Sequence, residues 1–234
     1  MKLIHLARQK NKDMTKDAII KLHCPSYYGL LNLPECATEK QFRRCRECWE
    51  RNMFPNKKYR TIYADPPWHE KGGGKIKRGA DRHYPLMRTE DIMALPIEQI
   101  ADESGCHLYL WATNNFLPDA LKVMEAWGFR YVTTITWFKD GNIGLGQYFR
   151  GRTEHCLFGV KGKLPYKILN GKRQQGVTGF ISPKGRHSEK PEEMRKMIEI
   201  VSYGPYIELF ARKKTDGWDA WGNEICETIQ NQKS

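Results

Sequence analysis

The sequence predicts an α/β domain built on a mostly parallel sheet, and three observations carry that reading. Five short apolar runs, rich in β-branched and aromatic residues, lie at 60–64 (RTIYA), 107–112 (HLYLWA), 131–138 (YVTTITWF), 155–160 (HCLFGV) and 206–211 (YIELFA). Each is nearly continuous, as strands buried on both faces require. Helical periodicity fills the gaps between several of them, and alternation of strands with helices is the mark of a parallel sheet. The composition, 40% hydrophobic and 12% aromatic over 234 residues, supplies enough apolar matter for a packed core and excludes wholesale disorder.

The first run, 60–64, opens the domain, and the second, at 107–112, follows a long stretch that begins with a glycine-rich loop. That loop, 69–83, holds Gly72, Gly73 and Gly74 among five basic residues. A helix is expected over 116–127, with Leu117, Leu121, Met124 and Trp127 on one stripe and Gly128 as its stop. A second long loop, 140–153, separates the third and fourth runs. Loops of that length in a compact domain are often functional. A further helix is expected over 191–202, where Met194, Met197, Ile198 and Val201 recur at helical spacing and Pro191 suits the first turn.

Ahead of this domain the texture differs. Residues 1–57 read as a small cysteine-bearing helical module, with a short helix over 15–22 and another over about 39–53 opened by the Thr38–Gln41 pair. The module is basic: residues 1–60 hold 14 Lys+Arg against 6 Asp+Glu, which is +8 of the chain's +12. Such an excess fits a polyanionic partner such as nucleic acid, though a solvated surface has the same composition. Four of the seven cysteines, Cys24, Cys36, Cys45 and Cys48, fall in it. The two-residue gap between Cys45 and Cys48 suits a structural zinc site. The gaps to Cys24 and Cys36 are not those of a standard finger, so a reduced, metal-free helical module is the alternative. Cys106, Cys156 and Cys226 stand alone in or beside apolar stretches and read as small hydrophobes. No apolar run reaches the roughly 18–20 residues of a membrane span. The start of the chain lacks the apolar stretch of a signal peptide, so the expectation is a cytoplasmic protein without membrane attachment.

The chemistry concentrates at Asp65-Pro66-Pro67-Trp68, directly after the first strand run. In open α/β sheets ligands bind beyond the carboxyl ends of the strands. Two prolines there remove backbone donors while keeping carbonyl acceptors. Asp65 and the Pro66 carbonyl can therefore hold the hydrogens of an amine, and Trp68 offers a face for a planar base. Acceptors without nearby donors suit an exocyclic amine acting as nucleophile. There is no glycine-rich dinucleotide fingerprint after an early strand, but Glu208 lies inside the late apolar run, where an acid can bind ribose hydroxyls.

Tyr63-Ala64-Asp65-Pro66-Pro67-Trp68 resembles the signature of the MT-A70 family of adenine N6-methyltransferases. Further blocks resemble the family in order: His83-Tyr84-Pro85, 108–113, Trp137-Phe138-Lys139, Tyr148-Phe149-Arg150, 154–160, 187–191, 207–212 and 217–224. The resemblance covers about 59–225, and its pattern is similar to bacterial or phage members. It implies a Rossmann-like methyltransferase fold with permuted motif order over 58–226, followed by a flexible tail at 227–234. It implies S-adenosylmethionine as cofactor, held by Ile62, Asp65, Lys190, Glu208, Phe210, Arg212, Asn223 and Glu224. Glu224 stands where many members have Gln, and Lys214-Thr215 where some have His-Asn. Asp65, Pro66, Pro67 and Trp68 would form the catalytic loop, and Tyr84, Tyr148, Phe149 and Arg150 would line the substrate pocket. Lys139 is read equally as a neighbour of the site or a surface residue, while His107 and His155 are read as core histidines.

The function implied is methyl transfer to the N6 amine of adenine in nucleic acid, DNA before RNA, in a bacterial or phage-infected cell. A catalytically silent nucleic-acid-binding partner of the same fold is the reading from a different class. The intact Asp65 motif with Lys190 and Asn223 argues against it. Oligomeric state and target sequence are not legible.

Overall fold

The computed structural model describes residues 54–69, 86–141, 148–163, 166–185 and 189–222. Residues 1–53 of the module expected over 1–57, with Cys24, Cys36, Cys45 and Cys48, lie outside the described residues. So do Tyr84, Asn223, Glu224, Cys226 and the tail.

The strands are β1 (Thr61–Ala64), β2 (Gly105–Ala112), β3 (Arg130–Asp140), β4 (Thr153–Gly162), β5 (Ile168–Leu169), β6 (Lys172–Arg173), β7 (Gly179–Pro183), β8 (Tyr206–Leu209) and β9 (Trp218–Trp221). The helices are α1 (Thr89–Met93), α2 (Leu117–Ala126) and α3 (Glu192–Val201). Seven strands form one sheet in the order β7-β3-β4-β2-β1-β8-β9, and β5 and β6 form a separate hairpin. β1 is parallel to β2 and β8, β8 to β9, and β3 to β7. β4 alone runs against its neighbours β2 and β3. The mostly parallel α/β sheet expected from the sequence is what the chain forms. The five expected strands are all present, and β7, β9 and the β5–β6 hairpin join them.

β1 and β2 are buried along their whole length. They sit at the centre of the sheet, so each presents apolar side chains to both layers. Alternation along the strands sorts those side chains into two cores. Ile62, Ala64, Leu108 and Leu110 join Ile92 of α1 and Ala120, Val123 and Met124 of α2 on one face. Tyr63, Tyr109, Trp111, Trp137 and Cys156 join Met194 and Ile198 of α3 on the other. The second core is dominated by rings, which leaves room for polar tips. The Trp111 indole N–H donates to the Tyr63 hydroxyl at 2.6 Å, and the Trp137 indole N–H donates to the Ser182 carbonyl at 2.9 Å.

The helices fall where periodicity puts them, with one change of face. In α2 the buried set is Ala120, Val123 and Met124, continued by Trp127, while Leu121 is exposed. The stripe read through Leu121 was one position off: the small residue Ala120 is the one that packs into the core. Gly128 ends the helix at φ 78°, with its N–H donating to the Glu125 carbonyl and that of Phe129 to Met124. The first three residues of β3, Arg130–Val132, are exposed rather than buried. Cys106 and Cys156 are buried free thiols, and burial pushes Cys106 up to about 12. His107 is buried and donates to or accepts from Ser202 at 2.6 Å; burial lowers it to about 4, so it is neutral at pH 7.

The described chain ahead of Tyr59 packs on the sheet. Phe54 stacks obliquely on Trp221 at 4.6 Å, and Lys57 pairs with Asp219 at 2.7 Å. These contacts tie the segment before β1 to the edge strand β9.

One close approach closes the last strand. A Cβ on Gly222 would meet the Ala211 carbonyl oxygen at 2.2 Å and the Ala211 nitrogen at 2.7 Å. Neither is a flexible side-chain end, so the backbone itself would have to move. Gly222→Ala should therefore destabilise the fold by about 1–3 kcal/mol, read as a lower urea midpoint; an unchanged midpoint would mean that this junction yields freely.

Candidate active site

Because β4 runs backwards, its amino end lies beside the carboxyl ends of β2 and β3. Cys156 pairs with Trp111, and Glu154 with Trp137. Asp65 follows the last residue of β1, Glu208 lies in β8 and Lys190 stands just ahead of α3. These elements bring Asp65, Lys139, Glu154, Lys190 and Glu208 to one edge of the sheet.

Charges there are linked in a chain. The Lys190 ammonium donates to Asp65 Oδ2 at 2.7 Å and lies 3.5 Å from Glu154 Oε2. Lys139 donates to the other oxygen of Glu154 at 2.5 Å. Lys190 also stands 5.5 Å above the Trp111 ring, and Lys139 5.1 Å from the Trp137 ring. Aromatic surface beneath the two ammonium groups suits them while lowering the local dielectric, which strengthens their pairing with the carboxylates. Burial would raise Glu154, but Lys190 and Lys139 together hold it below the ordinary carboxylate range. Asp65 responds the other way: burial raises it, and Lys190 only partly offsets that. Its second oxygen, Oδ1, has no hydrogen bond among the described residues.

The loop that follows β1 is pinned at its far end. The Pro67 carbonyl accepts from the Met87 N–H at 2.7 Å, and the His69 N–H donates to the Met87 carbonyl at 3.0 Å. The Pro66 carbonyl accepts the Trp68 N–H at 2.9 Å, so one of the two lone pairs expected to face a ligand is already engaged. Trp68 is 8% exposed, stacks on Phe116 at 5.5 Å and donates its indole N–H to the Trp111 carbonyl at 3.0 Å. The open stacking face expected of Trp68 is therefore corrected: the ring anchors the loop in the α1–α2 core, and a small 3₁₀ turn carrying Phe116 covers it.

Glu208 forms the second focus. Its Oε2 accepts from Arg195 of α3 at 2.6 Å. Burial raises its carboxyl and Arg195 opposes the rise. Phe210, two residues on, has φ 60°, a left-handed backbone that non-glycine residues rarely adopt; its ring meets Trp221 edge-on at 5.6 Å. Strain of this kind persists where the surroundings hold the chain, and it clusters at ligand sites. Arg212 follows directly after the same strand and contributes to the field at Asp65.

The other expected site residues divide. Ile62 is wholly buried in the α1–α2 core, because alternation along β1 turns it away from the face that Tyr63 shares. Tyr148 and Phe149 are each 92% exposed, ahead of β4 and in contact with no described ring. Lys139 proves to be a neighbour of the site. His155 is a rim residue, bonded to Asn114 at 2.7 Å and Thr136 at 3.1 Å, rather than a core histidine. Glu154, Arg195 and Trp111 were missed. Among the described residues no group of three or more His, Cys, Asp or Glu gathers as metal ligands, and no helix is long and apolar enough to cross a membrane. A cleft of about 420 Å³ lies between His107, Phe158, Tyr166 and Val201. It is lined from the amino end of β2 and contains none of the residues of the charge chain.

The site thus sets one acid, Asp65, after a central parallel strand and a second, arginine-paired acid, Glu208, on the adjacent strand β8. The family model MT-A70 matches residues 59–224, and the chain belongs to that family. It is 32% identical over 197 residues to the type II methyltransferase M.MunI of Mycoplasma sp, covering 74% of this chain and 80% of that one. It is 28% identical over 182 residues to the human N(6)-adenosine-methyltransferase catalytic subunit METTL3, covering 72% of this chain and 28% of that one. Human METTL4, an N(6)-adenine-specific methyltransferase, is 26% identical over 200 residues, covering 77% and 40%. The chain thus spans most of the Mycoplasma relative but about a quarter of plant relatives such as that of Medicago truncatula.

Glu154 gives this site a measurable acid limb. Its folded pKa lies below the unfolded one, so its stabilisation is complete above the unfolded value, about 4.5, and disappears as pH falls through the folded value. Glu154→Gln should lower stability at neutral pH by about 3 kcal/mol, since two partly buried ammonium groups lose their shared counter-ion. The difference from wild type should shrink as pH falls below about 4. Denaturation at several pH values checks this, and a difference independent of pH would refute the pairing.

Proposed function

We propose that this chain transfers a methyl group from S-adenosylmethionine to the exocyclic N6 amine of adenine in DNA. The observation that carries the reading is Asp65. It stands at the carboxyl end of a central strand, with one oxygen tied to Lys190 and the other unclaimed by the described residues. A carboxylate so placed accepts a hydrogen of the amine, orients the nitrogen lone pair and can take up the proton that transfer releases. The remaining lone pair of the Pro66 carbonyl supports the same amine. Lys190, held between Asp65 and Glu154, fixes the carboxylate before substrate arrives, so little reorganisation is left for the reaction itself.

The residues present fit the cofactor. Glu208 Oε1 accepts no hydrogen bond from the described residues and suits ribose hydroxyls, Phe210 and Arg212 follow beyond the same strand end, and Lys190 supplies positive charge nearby for the cofactor's carboxylate. Asn223 and Glu224 continue this set in sequence. When bound, the cofactor supplies an electrophilic methyl group on a sulfonium. The chain's part is to hold amine and methyl group in line, and proximity of this kind accounts for much of an enzyme's acceleration.

The reading of DNA over RNA rests on the bacterial or phage pattern of the sequence. The share of length matched supports it: 80% of the Mycoplasma type II methyltransferase against 28% of METTL3. An adenine in a duplex must leave the stack to reach Asp65. Exposed Tyr148 and Phe149, with Arg150 beside them, are suited to bases and phosphates at the rim. Tyr84 is proposed for the same pocket, and the basic N-terminal module for the phosphate backbone. For Cys24, Cys36, Cys45 and Cys48 a zinc site remains a proposal that metal analysis of the full chain decides.

Incubation with methyl-labelled cofactor and matched DNA and RNA, followed by nucleoside analysis, should yield N6-methyldeoxyadenosine. Label in RNA alone would overturn the substrate assignment, and label in neither would overturn the activity. Asp65→Asn separates chemistry from stability. It should slow transfer by at least about 100-fold. The ionised form of a carboxyl with a raised folded pKa opposes folding, so the thermal midpoint should stay level or rise. Loss of both would mean that Asp65 serves the fold.

A further inference from the structure

Arg195 is the buried charge that neither methyl transfer nor packing explains. It lies in α3 between Met194 and the Ile198 turn and is 8% exposed. One guanidinium nitrogen donates to Glu208 Oε2 at 2.6 Å and another to Glu192 Oε2 at 2.7 Å. Its carbon lies 6.0 Å from the Tyr63 ring and 5.8 Å from the Trp218 ring. Its Nε is buried without a partner. A buried ion pair is weak evidence of stabilisation, since an apolar residue of similar volume often does as well. An unpartnered Nε adds a further desolvation cost. A methionine would fill this place between Met194 and Ile198 at no such expense, so the guanidinium must be read through what it holds.

It holds one oxygen of one carboxylate. Glu208 Oε1 has no hydrogen bond among the described residues, and the side chain is 18% exposed, enough for a ligand to reach. We propose that Arg195 is a positioning residue for cofactor binding: by engaging Oε2, it keeps Glu208 ionised and in one rotamer, with Oε1 available to the ribose hydroxyls of S-adenosylmethionine. The inference rests on the reading of Glu208 as a cofactor ligand and adds the residue that makes it competent. Among the described residues, the charged and titratable groups acting on Glu208 are Arg195 from α3, Tyr63 from β1, Asp65 after it and Lys213 beyond β8. Asp65 and burial both favour a protonated Glu208, and Lys213 opposes them from an exposed position. Arg195 is the only buried cation among these groups. Without it the carboxyl titrates closer to neutrality, and a protonated Glu208 loses its capacity as a charged acceptor.

The test is calorimetric titration of S-adenosylmethionine into the full chain from about pH 6 to about pH 8, a window above the ordinary carboxylate range. Wild type, Glu208→Gln, Arg195→Met and Arg195→Lys are compared. Glu208→Gln should raise Kd about tenfold or more, because a charged hydrogen bond is lost. Arg195→Met should bind nearly as wild type at the alkaline end and weaken progressively, by about tenfold, toward the acid end. Arg195→Lys, which restores a cation, should recover most of the loss. Arg195→Met weakened by the same factor at every pH, or not weakened, overturns the proposal while Glu208→Gln still supports the ligand reading. An unaffected Glu208→Gln overturns the ligand reading and the proposal with it. Should Arg195→Met fail to fold, Arg195→Gln, neutral but still a donor, carries the same comparison.

Discussion

The site depends on a single ammonium group. Lys190 bridges Asp65, from the loop after β1, to Glu154, from β4, and so joins two segments that neither strand pairing nor helix packing connects directly. Its position ahead of α3 ties that helix to the same edge. The arrangement works because it stands over Trp111 and beside a second lysine, in surroundings where an unpaired charge would be costly. Asp65 is thereby kept in place without being fully neutralised: one of its oxygens accepts no hydrogen bond from the described residues.

Arg195 and Glu208 repeat the device one strand away. In both pairs a cation carried by or just ahead of α3 takes one oxygen of an acid on the central sheet and leaves the other. The ring-rich core of Tyr63, Trp111, Trp137 and Trp218 lies under both. Large rings there do two things at once: they fill volume, and their polar tips find partners, Trp111 in the Tyr63 hydroxyl, Trp137 in the Ser182 carbonyl and Trp218 in the Glu199 carboxylate, so the floor carries no unmet indole donor.

Much of this was legible in the sequence, and what was not has definite physical reasons. β1 and β2 were plain because strands buried on both faces read as unbroken apolar runs. Asp65 was plain because two prolines and a tryptophan after such a run are hard to explain as a simple turn. Glu154 was overlooked although it immediately precedes the apolar run HCLFGV, since only the reversed direction of β4 brings it to the carboxyl edge, and direction is a property of the whole sheet. Arg195 left a trace: an arginine beside Met194 on the buried stripe of α3 breaks the amphipathic pattern. Trp68 was misread because its neighbours suggested a ligand, whereas Phe116, distant in sequence, had claimed its face. Leu121 shows the same limit on a smaller scale, for hydrophobicity alone cannot tell which of two adjacent apolar positions a crowded interface will choose.

The reversal of β4 also bears on how such a protein can diversify. The segment between Asp140 and Thr153 leaves the sheet at the end of β3 and returns at the start of β4, so both its anchors stand on the reacting edge. No crossover helix has to accommodate it, and neither neighbouring strand changes register if it lengthens or is exchanged. Loop closure becomes only slowly costlier with length. Length and composition can therefore change in that one insert, as a tool head is changed on a fixed spindle, while Asp65 and its lysine stay where they are.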